Sequence, residues 1–215
     1  MNRSRTAGFT LIELLIVVGI IGVLAAALLP ALLEGRETAN IRADQANLTK
    51  IYSWLEIYRQ RAGHKPTVGG HKFLLDPWVK GYVDPSPEAM ATYFTPGIDD
   101  PRQIELKQKL DRGEKIWSSL DQLTAADTSY AGRGTDSLKG NIDSGLEAWA
   151  ADDNNEGTAW AFPNSATTNV LYGNGHAREI SLQVLMESFS WPGKEQVLKT
   201  FGQDAGHPDL KKLEN

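Results

Sequence analysis

Residues Phe9 to Leu33 form a run of 25 residues that carries a single charge, Glu13. A helix of that length and polarity is long enough to cross a bilayer, which takes about 20 apolar residues. The eight residues before it are polar and basic, with Arg3 and Arg5. The positive-inside tendency keeps such a flank in the cytoplasm and sends the downstream domain to the other side. Three ordinary readings compete for this run. In a secretory signal, Ala25-Ala26-Ala27 would be the cleavage site, but an h-region normally has about 7–15 residues. A plain signal anchor leaves Glu13 without a reason, since a carboxylate at the centre of a spanning helix costs roughly 2.5–3.5 kcal/mol. A buried core helix is disfavoured by the length of the run.

The rest of the chain has ordinary soluble-domain composition. It brings the total to 215 residues with a net charge of -5, both signs being spread along the sequence. A nucleic-acid binder normally concentrates a basic stripe, so nucleic acid is not an expected partner. There is no cysteine, which excludes a disulfide scaffold, a thiolate metal site and a cysteine nucleophile.

The stretch Gly8-Phe9-Thr10-Leu11-Ile12-Glu13-Leu14-Leu15-Ile16-Val17-Val18 resembles the processing motif of type IV prepilins and pseudopilins over about a dozen positions. The resemblance implies that a prepilin peptidase cuts after Gly8 and methylates the new amino terminus at Phe9, and that Glu13 serves assembly. Pro30 falls where many such proteins carry a helix-loosening proline. Implied partners are the prepilin peptidase, other pilin or pseudopilin subunits, an inner-membrane assembly platform and membrane lipid. The implied address is the bacterial inner membrane, single-pass with the amino terminus cytoplasmic and the head periplasmic, and then an extracytoplasmic filament. The implied division is a leader over 1–8, a transmembrane and filament-core helix over 9–33, an amphipathic continuation over 34–62, and a head over 63–215. Physical chemistry agrees with these roles. Glu13 lies one turn into the helix, near the positive end of its dipole. The Phe9 amine of one subunit and Glu13 of a neighbour would satisfy each other in one register, and buried pairs act more on register than on stability.

From Glu34 to Arg61, Ile41, Leu48 and Leu55 recur every seven residues with Ile51 and Tyr58 between them, and Tyr52 and Trp54 widen the stripe. This is the period of a helix with one buried face. Arg36, Glu37, Arg42, Asp44, Lys50 and Arg59 are assigned to its other faces. Gly63, followed by Pro66, is the expected C-cap. Residues 62–100 are rich in Gly, Pro and Asp and read as loops joining short elements, among them a helix from Pro87 to Tyr93 capped by Ser86. A polar helix is expected over Pro101–Leu110 and a short apolar turn over Trp117–Leu123. Strands are expected over Thr128–Ala131, Leu146–Ala150, Thr167–Tyr172 and His176–Leu182, the last two joined at Gly173-Asn174-Gly175 as a hairpin. Helical patterns come next, over Leu182–Phe189 and Lys194–Phe201, and Gly202–Asn215 reads as polar and loosely held. The expected fold is α+β: a long N-terminal helix, transmembrane then amphipathic, packed against a small antiparallel sheet.

Phe73-Leu74-Leu75 with Trp78, Asp127-Thr128-Ser129-Tyr130-Ala131 and Asn169-Val170-Leu171-Tyr172 are similar to the heads of pilin-like proteins abundant in planctomycete-type bacteria. Those heads often carry a histidine separated by nine residues from an Asp-Gly pair. Here the corresponding positions hold Asn164 and Asn174-Gly175, so both hallmark side chains are replaced. No cofactor is expected. The oxygen-rich run with Asp152, Asp153 and Asn155 offers calcium ligands, against the simpler reading of a solvated acidic turn. His64, His71, His176 and His207 form no metal motif, and no nucleophile elbow is present, so the chain does not read as an enzyme. The favoured reading is a filament subunit. The other is a binding protein on the same kind of anchor, its head exposed to a ligand or polysaccharide, with Trp149, Trp160 and Trp191 then partly exposed.

Overall fold

The computed structural model describes residues 10–139, 145–153, 167–181 and 207–214, which fall in two compact units, Met1–Ala39 and Asn40–Asn215. Helix α1, Leu11–Ala62, begins in the first unit and ends in the second. It continues through Pro30, the position of the helix-loosening proline; a proline removes a single ladder hydrogen bond, which neighbouring turns tolerate. Its end is the expected one. Gly63 takes φ +79° and its N–H donates to the Arg59 carbonyl at 2.9 Å, the left-handed cap that glycine adopts without a Cβ penalty.

In the second unit α1 buries Ile41, Asp44, Leu48, Ile51, Leu55 and Tyr58 along one seam. The alternating steps of three and four are the expected period, but Asp44 corrects the expectation. It sits inside the seam, fully buried, where the heptad spacing calls for an apolar side chain.

Helix α2, His71–Val79, was not expected, because Asp76-Pro77 reads as a turn. In the structure both lie inside the helix, and Phe73, Leu74, Leu75 and Trp78 drive it into the core. Its start approaches the sheet closely. The Gly70 N–H donates to the Arg133 carbonyl at 2.9 Å, and a Cβ on Gly132 would stand 2.1 Å from the Gly70 oxygen. Helix α3, Pro87–Ala91, ends earlier than expected, with Ser86 Oγ accepting from the Ala89 N–H as its cap. Helix α4, Pro101–Asp111, is capped by Asp100, which accepts from the Arg102 and Gln103 N–H groups.

Strands β1 (Tyr130–Arg133), β2 (Ala148–Asp152), β3 (Thr167–Tyr172), β4 (Ala177–Ser181) and β5 (Leu213–Glu214) form one antiparallel sheet in the order β4-β3-β2-β1-β5. β1 and β2 each lie two residues beyond the start expected for them. The β3–β4 hairpin turns as expected, with Gly175 at φ +82°. The last residues correct the reading of a loose tail. Leu213 and Glu214 pair with Arg133 and Gly132, Leu210 and Leu213 are buried, and Asp209 accepts from the Tyr172 hydroxyl at 2.7 Å. The α+β architecture is the expected one: the amphipathic half of a long helix on a small antiparallel sheet, with Leu48, Ile51, Phe73, Tyr93, Tyr130 and Trp149 among the core residues between them. The helical patterns expected over 182–201 lie outside the described residues.

Candidate functional site

The start of α1 is built by two side chains. Thr10 precedes the first helical residue, and its N–H and Oγ1 both donate to Glu13 Oε2, at 2.9 Å and 2.7 Å. Thr10 Oγ1 in turn accepts from the Glu13 N–H at 3.3 Å. This reciprocal arrangement is a capping box, which satisfies two of the amide groups that every helix start leaves open. It gives Glu13 an address: the carboxylate is folded back toward the residue that precedes the helix. Gly8 and Phe9, the expected processing residues, lie outside the described residues.

Beyond the cap the helix is bare. The large apolar side chains from Leu11 to Leu33 are between 46% and 86% exposed. Gly19 and Gly22 have nothing within 4 Å of where a Cβ would stand, so the backbone is open to close approach there. Helix α1 is long and apolar enough to cross a membrane. An unbroken apolar cylinder in water is strongly unfavourable, at about 25 cal/mol for each Å² of apolar surface. Lipid or other apolar helices are what such a surface takes as surroundings.

The head offers a different picture. Asp152, one of the expected calcium ligands, ends β2 with its side chain in the core. Its Oδ2 accepts from the Asn169 N–H at 2.6 Å. Asp153 is buried beside it, and its N–H donates to the Ser129 carbonyl at 2.8 Å; Asn155 lies outside the described residues. Asp152 does not fit a solvent-facing cation loop, because its carboxyl is enclosed in the core. Among the described residues no three His, Asp or Glu side chains converge as metal ligands.

Asp152 meets Asp44 instead. Asp44 Oδ1 accepts from the Tyr130 hydroxyl at 2.7 Å and Oδ2 from Asn169 Nδ2 at 2.8 Å. The same Asn169 amide nitrogen reaches the Ile41 carbonyl at 3.3 Å, and its Oδ1 accepts from Gln45 Nε2 at 2.9 Å. Burial pushes the Asp44 carboxyl up. It pushes Asp152 well up, and the neighbouring Asp44 charge pushes it further. Sequence reading missed this cluster, and the one available signal was the seven-residue period that placed Asp44 between Ile41 and Leu48.

Other polar groups are structural. Arg102 holds the buried Asp127 through Nε and Nη2, both at 2.8 Å, and Asp127 also accepts from Thr124. His64 packs edge-on against Tyr58, and burial lowers His71 and His207 below the usual imidazole range. A cleft of about 420 Å³ opens among Trp78, Val83, Leu110, Ile116 and Trp117. Trp149, a candidate for a ligand-holding aromatic, is fully buried against Tyr52 and Phe73; Trp160 and Trp191 lie outside the described residues.

Residues 3–29 match the family model described as the prokaryotic N-terminal methylation motif. The chain is similar to the type IV wide pilus major component of Thermus thermophilus, with 50% identity over 52 residues, 24% of this chain and 40% of that one. It is also similar to the type II secretion system core protein G of Pseudomonas aeruginosa, with 34% identity over 59 residues, 27% of this chain and 42% of that one. The Escherichia coli protein of the same description shows 35% identity over 64 residues, 30% of this chain and 44% of that one. The chain therefore spans less than half the length of these relatives. No solved structure matches it.

Proposed function

We propose, from an amino-terminal segment that belongs to the type IV pilin and pseudopilin family, that this chain is a structural subunit of a type IV pilus-like filament or type II secretion pseudopilus. The observation that carries this reading is the Thr10–Glu13 cap set at the head of an exposed apolar stretch of helix. Prepilin peptidase cuts between Gly8 and Phe9 and leaves a positive amine at Phe9. Lipid holds the processed subunit at the inner membrane until an assembly platform draws it into the filament. There the apolar helices of neighbouring subunits replace lipid, and each Glu13 takes a neighbour's Phe9 amine. Two charges in apolar surroundings then have partners in one register and none in the others. The reading of an anchored ligand- or polysaccharide-binding protein loses one of its three aromatic anchors, since Trp149 is enclosed in the core. No catalytic role enters the proposal; the relatives are described as a pilus component and secretion core proteins.

The test is the mature amino terminus, read by mass spectrometry from cells with and without the peptidase. A methylated peptide beginning at Phe9, lost without the peptidase, is the expected result. An intact Met1, or a cut near Ala27, overturns the proposal.

A further inference from the structure

Asp44 and Asp152 come from elements 108 positions apart and are both fully buried. Each carboxyl lies within hydrogen-bonding reach of the other. Two facing carboxylates in the interior repel at short range in a weakly screening medium, and a single proton between them turns that repulsion into a hydrogen bond. The polar groups around them show which carboxyl holds the proton. Both Asp44 oxygens already accept, from Tyr130 and Asn169. Asp152 has one oxygen occupied by the Asn169 N–H, while among the described residues no N–H or O–H reaches its Oδ1. We propose that Asp152 is a neutral carboxylic acid that donates to an ionised Asp44, so that one buried proton ties the amphipathic half of α1 to strands β1, β2 and β3.

The groups facing the pair agree. From β1 comes the Tyr130 hydroxyl, a donor whose own ionisation is pushed well up by burial and by the Asp44 charge. Just past β2 comes Asp153, whose charge adds to the pressure on Asp152. From β3 comes the neutral Asn169, and from α1 the neutral Gln45. Arg42 enters the network through Gln45, donating to its Oε1 at 2.8 Å. The pair thus sits among neutral donors and a further carboxylate, surroundings in which protonation is the least costly way to keep two acids buried. This is a different use of Asp152 from a cation loop, in which its oxygens would be among the six to eight oxygen ligands of a calcium ion.

The consequence is a grip that depends on pH. The folded head holds a proton that the unfolded chain releases near the ordinary aspartate range. The pair's contribution is therefore complete in acid and is lost as pH rises from about 4 through the raised folded value. The head holds its helix more firmly on the acidic side.

The experiment uses the full chain in detergent micelles. Thermal midpoints of the wild type, D152N and D44N are compared at about pH 5 and about pH 8, with the carboxylic-acid C=O band read by infrared spectroscopy near neutrality. In D152N the amide supplies the donor that the proton supplied, so its midpoint is expected to equal or exceed the wild type's at the higher pH and to vary less between the two. In D44N an NH2 faces the Asn169 NH2, and the midpoint is expected to fall by about 5 °C or more at both. The wild type is expected to show a carboxylic-acid band that D152N removes, which stands even if D44N fails to fold. The proposal is overturned if that band is absent, or if D152N is as damaging as D44N at both pH values. It is equally overturned if calcium raises the wild-type midpoint but not that of D152N, since a cation would then occupy the place of the proton.

Discussion

Thr10 and Glu13 show how few side chains are needed to give a long apolar helix a polar end. The cap commits one Glu13 oxygen to its own helix start. Replacing Glu13 with Ala is expected to leave insertion into the membrane intact, since the apolar run is unchanged. Filament assembly is expected to fall severalfold, measured as the ratio of sheared surface filament to membrane-held subunit. A variant that assembles like the wild type would remove Glu13 from the register. Glu13 was legible in the sequence because its apolar neighbours make any charge conspicuous. Asp44 was not, because an acid in an amphipathic helix looks like part of the wet face. Its partners come from strands 86 and 125 positions away, and no local pattern carries that information.

The elements divide along the same line. The β3–β4 hairpin and the α1 cap were readable because each is decided by adjacent residues, Asn174-Gly175 in one and Gly63 in the other. Helix α2 was hidden by Asp76-Pro77. Its four core side chains gain enough from burial to outweigh the one hydrogen bond the proline removes. β5 was hidden because two residues have no period; pairing with β1 makes it a strand. The seam between α1 and the sheet carries much of the stability. Leu48→Ala, at a position with no exposure, is expected to cost about 2–5 kcal/mol. That would lower the thermal midpoint of the head by roughly 5–15 °C, read by circular dichroism; a loss under about 2 °C would mean that the site collapses around the smaller side chain.

Taken whole, the chain is two solubility problems in one sequence. The Asn40–Asn215 unit has its own core, whereas the apolar stretch of Met1–Ala39 has none. A fragment lacking residues 1–39 is expected to be folded and soluble without detergent, with a cooperative melt and a monomeric elution volume, while the full chain partitions into detergent. Aggregation of the fragment would show that the first unit contributes to the head's fold. The order of the sheet also bears on time. Among the described strands β1 is the first to be synthesised, and the strand that covers its outer edge, Leu213–Glu214, is the last. The Arg133–Glu147–Lys212 ion cluster waits for Lys212, the residue just before them. Until they arrive, the edge at Gly132 and Arg133 presents open hydrogen-bonding groups of the kind that recruit stray strands. A head without Leu213 and Glu214 in place is therefore chemically distinguishable from one that has them, and those two residues act as a clasp on the outer edge of β1.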